Sequence, residues 1–285
     1  MDSSFLEPET MHIFLPVYNR RKITRRFIQC LKKQTYRNNH LILIDDGSTD
    51  GTEEMVCSEI GNVTVIKGWG DWWWAGSLQQ GYLWLQRNSV SPEDMVLIIN
   101  DDTEFEEDFL EKGRRFLESH SNTMLMAQVY SRESGDLVNT GVHVDWRSFR
   151  FDPLPKAEKI NCLSTRGLFS RIRDFSRVGG FYPKLLPHYF SDYEFTIRAQ
   201  RKGIKLATDP SVRLWMDENA SGYHSLNGLS VKSYLQRLLS EKTPSNPIRL
   251  SFFVVLSCPW CYMPLNLLRV WVGVVGGIFK RMLNK

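Results

Sequence analysis

Short runs of consecutive apolar residues alternate with predicted helices through the first half of this chain. The apolar runs lie at 12–17, 41–44, 63–66, 95–99 and 123–128, and the predicted helices cover about 20–34, 51–60, 76–88 and 106–119. A run that is apolar at every position is typical of a strand buried on both faces, and strands that alternate with helices form parallel sheets. The pattern therefore predicts an α/β fold with a doubly wound, mostly parallel sheet and helices on both of its faces.

Two pairs of aspartates follow predicted strands. Asp45 and Asp46 come directly after the second apolar run, and Asp101 and Asp102 follow the fourth. Because ligands of open α/β sheets bind at the carboxyl ends of the strands, we expect both pairs to border one crevice. Carboxylate oxygens there suit Mg²⁺ or Mn²⁺, or hydrogen bonds to a base or a ribose. Each pair, taken alone, is also typical of a polar turn that caps the next helix.

The second half of the chain is less regular, and its main polar cluster lies at 188–194. A glycine-rich, aromatic stretch at 178–183 precedes this cluster, and a helix is predicted from Phe190 to Lys202. Asp192 lies at the junction between loop and helix, where a carboxylate in a cleft can act as a general base or simply cap the helix. His224 is a candidate metal or phosphate ligand, although a single histidine is more often structural.

Three consecutive tryptophans, Trp72–Trp74, cannot all face one core. We expect at least one of them to line a crevice or contact a ligand. The Ala75-Gly76 pair that follows would let the backbone approach that ligand closely. A wide aromatic plug that only fills space is the alternative interpretation.

Composition and charge exclude several classes of protein. The 285 residues are 42% hydrophobic and 24% charged, close to the average of soluble globular chains, which excludes disordered, collagen-like and coiled-coil proteins. Residues 248–285 hold five lysines and arginines and no acidic residue, so that residues 1–247 carry a net charge of −1 out of the total of +4. The main body thus lacks the basic footprint of a nucleic-acid-binding protein. Five scattered cysteines and an acidic N-terminus without an apolar leader predict a reduced, cytoplasmic setting.

The C-terminal segment, 247–285, is apolar and basic. Residues 250–268 carry no charge for 19 positions, close to the ~20 that span a bilayer, but Pro259, Pro264 and Asn266 interrupt the run. We therefore expect this tail to bind the cytoplasmic face of the inner membrane without crossing it. A true span, a homodimer interface or a cover for the main domain are the alternatives. The predicted domains are an N-terminal arm, 1–10, a main domain, 11–246, and the tail.

The motifs of residues 11–225, taken in order, resemble those of the family 2 glycosyltransferases, which are inverting enzymes of the GT-A fold. Pro16–Arg20 (PVYNR) is similar to the end of that family's first strand, and Ile44–Thr52 (IDDGSTDGT) to its base-binding turn. Ile99–Thr103 (INDDT) lies where the metal-binding Asp-x-Asp motif of the family belongs. The resemblance implies a GT-A fold and transfer of a hexosyl or deoxyhexosyl group from a nucleotide sugar.

Further motifs in the second half support the same resemblance. Gly179-Gly-Phe is similar to the acceptor region of the family, Ser191–Phe195 with Arg198-Ala to the helix of its catalytic base, and His224 matches a histidine common after that helix. The sequence departs from the family at two positions: Asn100 replaces the first carboxylate of Asp-x-Asp, and Ser191 replaces the glutamate before the catalytic aspartate. These departures put in doubt the metal affinity and a supporting contact rather than the reaction.

The resemblance also implies roles for individual residues. Asp192 would be the general base, and Arg166 and Gly180 would contact a saccharide or lipid-linked acceptor. Asp102 and His224 would hold Mn²⁺ or Mg²⁺. The remaining predicted residues share contact with the nucleotide-sugar donor: Pro16, Tyr18, Asn19, Asp46, Trp74, Gly76, Asp101 and Asp102. The expected products are bacterial surface polysaccharides such as O-antigen, made by a rhamnosyltransferase-like reaction.

Two other functions are compatible with the same fold. The first is a catalytically silent member that binds a nucleotide sugar or scaffolds a complex, which the two departures favour and the retained Asp102 and Asp192 disfavour. The second is nucleotidyl transfer, which calls for a glycine-rich, basic phosphate loop near the N-terminus. Arg20-Arg21-Lys22 supplies the charge there but no glycine.

Overall fold

A computed structural model describes residues 9–218 and 231–283. The strands are β1 (Met11–Val17), β2 (Asn39–Asp45), β3 (Val63–Lys67), β4 (Met95–Ile98), β5 (Thr103–Phe105), β6 (Thr123–Ser131), β7 (Leu137–Asn139), β8 (His143–Asp145), β9 (Arg150–Asp152), β10 (Leu168–Arg171) and β11 (Lys205–Met216). The helices are α1 (Arg21–Lys32), α2 (Thr52–Glu59), α3 (Trp73–Arg87), α4 (Phe109–Ser119), α5 (Ile172–Val178), α6 (Ser191–Arg201), α7 (Val231–Leu238), α8 (Pro247–Ser257) and α9 (Met263–Leu283).

One large sheet runs through the molecule in the order β3-β2-β1-β4-β10-β6-β11-β5, and β7 pairs with β6. The first four strands of that order are mutually parallel, and β6 and β11 are parallel to each other. Strands β10 and β5 run antiparallel to their neighbours. The predicted mostly parallel α/β sheet is therefore confirmed. The order also places the ends of β2, β1 and β4 side by side, which brings both aspartate pairs to one edge.

Hydrophobic cores lie on both faces of this sheet. Alternate residues of β1 point to opposite faces, with Ile13 and Leu15 in one core and Phe14 in the other. Helices α1, α2 and α4 cover the first face, and α3, α5 and α6 cover the second. Because each central strand is buried on both sides, the sequence reads as continuous apolar runs rather than as an alternating pattern.

A smaller third core joins the β8–β9 hairpin to helices α6 and α8. The ring of Phe253 in α8 stacks on that of Phe190 at 5.0 Å and lies 5.6 Å from Trp146 and 6.0 Å from Phe151. Arg201 of α6 donates a hydrogen bond to the carbonyl of Leu256 at 2.8 Å. Helix α8 is therefore packed directly against the helix that carries Asp192.

Helix α9 behaves differently from α8. It is 21 residues long, reaches a mean hydropathy of 1.2 and is only 11% buried over its most apolar window. By length and composition it could cross a membrane, and it is the one helix among the described residues that meets both criteria. Its exposed apolar side chains are Leu265, Leu268, Trp271, Val272, Val275, Phe279, Met282 and Leu283.

Candidate active site

The aspartate pair after β4 is buried and is compensated by an arginine from the neighbouring strand end. Asp101 Oδ2 accepts a hydrogen bond from Thr24 Oγ1 at 2.8 Å, and its Oδ1 lies 3.0 Å from Arg20 Nε. Burial raises the pKa of Asp101 to about 6, and the positive charge of Arg20 opposes that rise. Both oxygens of Asp101 therefore already have partners, from the N-terminal end of α1.

Asp102 keeps one oxygen free of hydrogen bonds. Its Oδ2 lies 3.3 Å from Arg20 Nη2, and its Oδ1 lies 3.6 Å from Arg166 Nη1. Oδ1 is buried and accepts no hydrogen bond from the part of the chain that the structure describes. A buried carboxylate oxygen in this state is suited to a cation.

The possible metal ligands of the site fit a divalent cation that is held by one protein carboxylate. Within residues 9–218 and 231–283, no group of three histidine, cysteine or acidic side chains is placed to hold a metal ion. Asp102 Oδ1 is the free oxygen, so the remaining ligands would come from substrate phosphates and water, as is usual for Mg²⁺. The second predicted ligand, His224, lies outside the described residues.

Asp46, at the end of β2, holds the loop between β3 and α3. Its Oδ1 accepts a hydrogen bond from the backbone N–H of Gly70 at 2.9 Å, and its Oδ2 accepts from those of Trp72 at 2.9 Å and Trp73 at 3.2 Å. A Cβ atom on Gly68 would lie 2.5 Å from Asp46 Oδ1, which explains the glycine at that position. The carboxylate thus fixes the backbone from which the tryptophans project.

Other residues predicted to bind the donor lie near the ends of β1 and β2. Tyr18 is half-exposed, and its ring lies beside Gly70. Asn19 has a positive φ of 51°, and its Oδ1 accepts a hydrogen bond from the backbone N–H of Thr49 at 2.8 Å. Pro16 pairs with Ile44 one residue before the ends of β1 and β2. The structure therefore brings Tyr18, Asn19 and Asp46 together at one edge of the sheet.

The three tryptophans point in three directions. Trp72 packs against the core beneath α3, and a Cβ atom on Gly76 would lie only 3.0 Å from that of Trp72. The ring of Trp73 lies 5.8 Å from the ring of His188. Trp74 lines a cavity, and its Nε1 donates a hydrogen bond to Thr165 Oγ1 at 3.0 Å. The tryptophan run therefore serves the core and a cavity at once.

Asp192 lies in the first turn of α6 and faces this cavity, which has a volume of about 410 Å³. Asp192 is partly buried, and this burial raises the pKa of its carboxyl group to about 6. Hydrogen bonds from the backbone N–H groups of Tyr193 and Thr165 oppose that rise, as does the charge of Arg166. Arg166 and His188 line the same cavity. A carboxylate with a pKa near 6 is well suited to act as a general base at neutral pH.

Helix α6 is held in place by an internal ion pair. Arg198 donates two hydrogen bonds to Glu194, at 2.8 and 2.9 Å, and one each to the carbonyls of Val178 and Gly180, both at 2.8 Å. A Cβ atom on Gly180 would collide with Gln79. Of the two predicted acceptor residues, Arg166 lines the cavity, whereas Gly180 packs against Gln79 and supports α6.

Two functional candidates escaped the sequence analysis. Arg20 belongs to the Pro16–Arg20 motif and to a short basic run in the sequence, and in the structure it is the cation that spans Asp101 and Asp102. His188 lines the cavity, its Nδ1 is buried without a hydrogen bond from the described residues, and burial lowers its pKa. The sequence does hold a signal for Arg20: two buried carboxylates at a strand end favour a nearby cation, and Arg20 follows the adjacent strand β1 by three residues.

Comparison with known structures identifies the fold. The structure is similar to S. aureus TarS, with a TM-score of 0.62 and 16% identity over 94% of this chain and 54% of that chain. It is also similar to GalNAc-T7 with UDP, GalNAc and Mn²⁺ (TM-score 0.62, 13% identity, 89% of this chain and 52% of that one). A third neighbour is the mannosyltransferase PcManGT from Pyrobaculum calidifontis with GDP-Man and Mn²⁺ (TM-score 0.58, 15% identity, 93% and 75%). The fold is therefore GT-A, and this chain spans about half the length of TarS.

The sequence comparisons point to the same group of proteins. A segment of 47 residues is 40% identical to the glycosyltransferase GlyG of Streptococcus pneumoniae serotype 4 and covers 16% of each chain. The sequence profile of glycosyl transferase family 2 matches residues 12–175, which include the Asp46 and Asp102 motifs and Arg166. Since that match covers more than half of the chain, the protein belongs to glycosyl transferase family 2.

Proposed function

We propose that this protein is an inverting glycosyltransferase that moves a hexosyl or deoxyhexosyl group from a nucleotide-diphosphate sugar to a saccharide or lipid-linked acceptor. The observation that carries the proposal is the cavity of about 410 Å³ in which Asp192 and Arg166 lie together, with Asp102 directly behind Arg166. Arg166 thereby links the proposed base to the proposed cation-binding carboxylate. Related folds that hold UDP, UDP-GlcNAc or GDP-Man support this class of donor.

The donor base would lie beside Asp46. An ionised carboxylate has about four acceptor positions, and backbone N–H groups of the 70–73 loop use three of them. One position is left for an N–H group of the base, next to the exposed ring of Tyr18 and to Asn19. Pro16, Trp74, Gly76 and Asp101 would complete the donor site, through backbone shape and packing more than through direct charge.

The diphosphate would lie between the base site and Asp192. Asp102 Oδ1 would hold Mn²⁺ or Mg²⁺, with His224 as the proposed second protein ligand. The cation, when bound, neutralises negative charge on the leaving nucleoside diphosphate.

Asp192 would act on the acceptor. Above pH 6 its carboxylate is ionised and accepts the proton of an acceptor hydroxyl. The hydroxyl oxygen forms a bond to the anomeric carbon as the bond from that carbon to the diphosphate breaks on the opposite face. The configuration is therefore inverted, and the proton resides on Asp192 until it passes to solvent. Gly180 would help to hold the acceptor-binding part of the site in place through its contact with α6.

The test measures nucleoside diphosphate release by the purified chain from UDP-glucose, UDP-GlcNAc, GDP-mannose and dTDP-rhamnose, with Mn²⁺ or with excess chelator. Asp192→Asn should lower turnover of the accepted donor by roughly 10²–10⁴-fold, the usual value of a positioned base. Asp136→Asn, which changes an exposed aspartate, is the matched control. Donor binding without any turnover would support the silent alternative, and full turnover by folded Asp192→Asn would contradict the assignment of the base.

We also propose that the protein binds the cytoplasmic face of a membrane through α9. The exposed apolar residues of α9 occur together with Arg269, Lys280 and Arg281, and residues 248–285 contain no acidic residue. This combination of apolar area and positive charge suits an anionic bilayer surface. Since α8 packs on α6, docking through α9 would present Asp192 to acceptors carried on lipid.

Co-sedimentation with vesicles tests this docking. Wild-type protein should bind vesicles of phosphatidylcholine with phosphatidylglycerol more strongly than vesicles of phosphatidylcholine alone, and the double variant Leu268→Glu/Val272→Glu should lose binding. Leu154→Glu, at an exposed leucine outside the tail, is the control. A tail that joins two copies would instead give a dimer in solution that the double variant converts to a monomer, with no vesicle binding.

A further inference from the structure

Two consecutive residues, Thr165 and Arg166, connect the two functional carboxylates of the site. The backbone N–H of Thr165 interacts with the Asp192 carboxylate, and Nη1 of Arg166 lies 3.6 Å from Asp102 Oδ1. The Arg166 side chain is 22% exposed, and it lines the cavity that Asp192 faces. The guanidinium group therefore lies where a donor diphosphate would pass between Asp102 and Asp192.

The backbone around Arg166 is held rigidly. The N–H of Gly167 donates to the carbonyl of Ile98 in β4 at 3.0 Å, and the carbonyl of Gly167 accepts from the N–H of Ala127 in β6 at 2.9 Å. The hydroxyl of Thr165 accepts the hydrogen bond from Trp74. Because the segment is tied to β4 and β6, the two strands that flank β10, Arg166 can redirect its guanidinium group only by side-chain rotation.

Arg166 is not required as the first counter-ion of the aspartate pair. Arg20 already contacts both carboxylates, through Nε at 3.0 Å from Asp101 and Nη2 at 3.3 Å from Asp102. The distance of 3.6 Å from Arg166 to Asp102 allows an ion pair but is too long for a strong hydrogen bond. In the described part of the chain, the hydrogen bond of Arg166 goes to the sulfur of Met216, a weak acceptor. Most of its five N–H groups are thus available to a ligand.

We propose that Arg166 binds the diphosphate of the donor and gives up Asp102 Oδ1 to the divalent cation when it does so. A guanidinium group can form two parallel hydrogen bonds with phosphate oxygens. Its present contact with the Asp102 carboxylate, at 3.6 Å, is only a loose ion pair. Arg166 and the cation are then alternative partners of the same oxygen. This inference rests on the proposed function, and it replaces the expectation that Arg166 contacts the acceptor.

The proposal predicts that one variant, Arg166→Gln, loses nucleotide affinity and gains Mn²⁺ affinity. In Arg166→Gln, the affinity for UDP or GDP measured by calorimetry in excess chelator should fall about 10–100-fold, the effect of losing a charge-assisted hydrogen bond. The affinity for Mn²⁺ alone, measured by electron paramagnetic resonance, should rise several-fold because a competing positive charge is gone. Arg166→Lys should keep the charge and lose part of the nucleotide affinity.

Arg173→Gln is the control, since Arg173 pairs with Glu93 at the opposite end of the sheet. A merely structural arginine would lower the thermal stability and weaken Mn²⁺ and nucleotide binding together, which would overturn the proposal. Unchanged UDP and GDP affinity in Arg166→Gln would overturn it as well. Wild-type protein that binds none of UDP, GDP and dTDP would contradict the proposed function itself, and the role of Arg166 would be rejected with it.

Discussion

Asp192→Asn is expected to stabilise the folded protein while it abolishes most of the turnover. Burial raises the pKa of Asp192 from 3.8 to about 6. A carboxyl group with a raised pKa binds its proton more tightly in the folded state than in the unfolded state. Proton binding by Asp192 therefore stabilises the folded state at low pH, and this stabilisation is lost as the pH rises from about 4 to about 6. Above pH 6, the folded protein carries the full cost of a buried charge.

The size of that cost follows from the two pKa values. A difference of about two pKa units corresponds to ~3 kcal/mol in the free energy of unfolding at neutral pH. Asparagine removes the charge and keeps one oxygen that can accept from Tyr193 or Thr165, although an uncharged acceptor is weaker. The net gain should therefore be about 1–2 kcal/mol, or a rise in Tm of about 2–8 °C.

Thermal unfolding of wild type and Asp192→Asn between pH 4 and pH 8 measures this effect. The stability gain should be present above pH 6 and should vanish near pH 4, where the wild-type carboxyl group is also protonated. Asp136→Asn should show no such pH-dependent difference, because Asp136 is exposed. A variant that is less stable than wild type at pH 7.5, or equally shifted at every pH, would refute the claim that Asp192 is a destabilised buried base.

Three further predictions concern the loops and the pH dependence. Asp46→Asn should lower the free energy of unfolding, measured by urea titration, by about 2 kcal/mol. The reason is that an amide cannot accept hydrogen bonds from all three backbone N–H groups of the 70–73 loop. Asp71→Asn in the same loop is the control and should leave the free energy of unfolding unchanged. Gly167→Ala should cost about 2–4 kcal/mol, because φ is 75° and the new Cβ would lie 2.6 Å from a leucine methyl group of β11. Gly135→Ala, with φ of 77° and nothing within 4 Å, should cost only the backbone strain of about 1 kcal/mol. The value of kcat/KM should fall tenfold per pH unit below about 6 as Asp192 is protonated, and a profile flat to pH 4.5 would contradict the role of this carboxylate.

The central sheet could be predicted because each strand is a continuous apolar run. The strands β1, β3 and β4 begin and end within a residue of their predicted bounds, and β2 begins two residues before its predicted start. The antiparallel insertion of β10 between β4 and β6 could not be predicted, since it depends on pairing between segments distant in sequence. Strand β5 has only three residues and no periodicity of its own, so the sequence assigned that region to a turn before α4.

The sequence predicts which carboxylates form the site, but it does not predict the residues that they contact. Acidic residues at strand ends are visible in the sequence, whereas the pairing of Arg20 with Asp101 requires β1 and β4 to be neighbours in space. The three backbone hydrogen bonds of Asp46 were equally invisible, because they depend on the path of the 68–73 loop. The three consecutive tryptophans did indicate a crevice, since three adjacent indole side chains cannot all face one core.

A crystal structure of Asp192→Asn with Mn²⁺ and a donor that the protein binds would test the central claim most directly. The account predicts the base beside Asp46, the metal on Asp102 Oδ1 and the sugar in the cavity next to residue 192. A nucleotide sugar found instead at a remote surface, such as the pocket formed by residues 35–38 and 108–115, would contradict it.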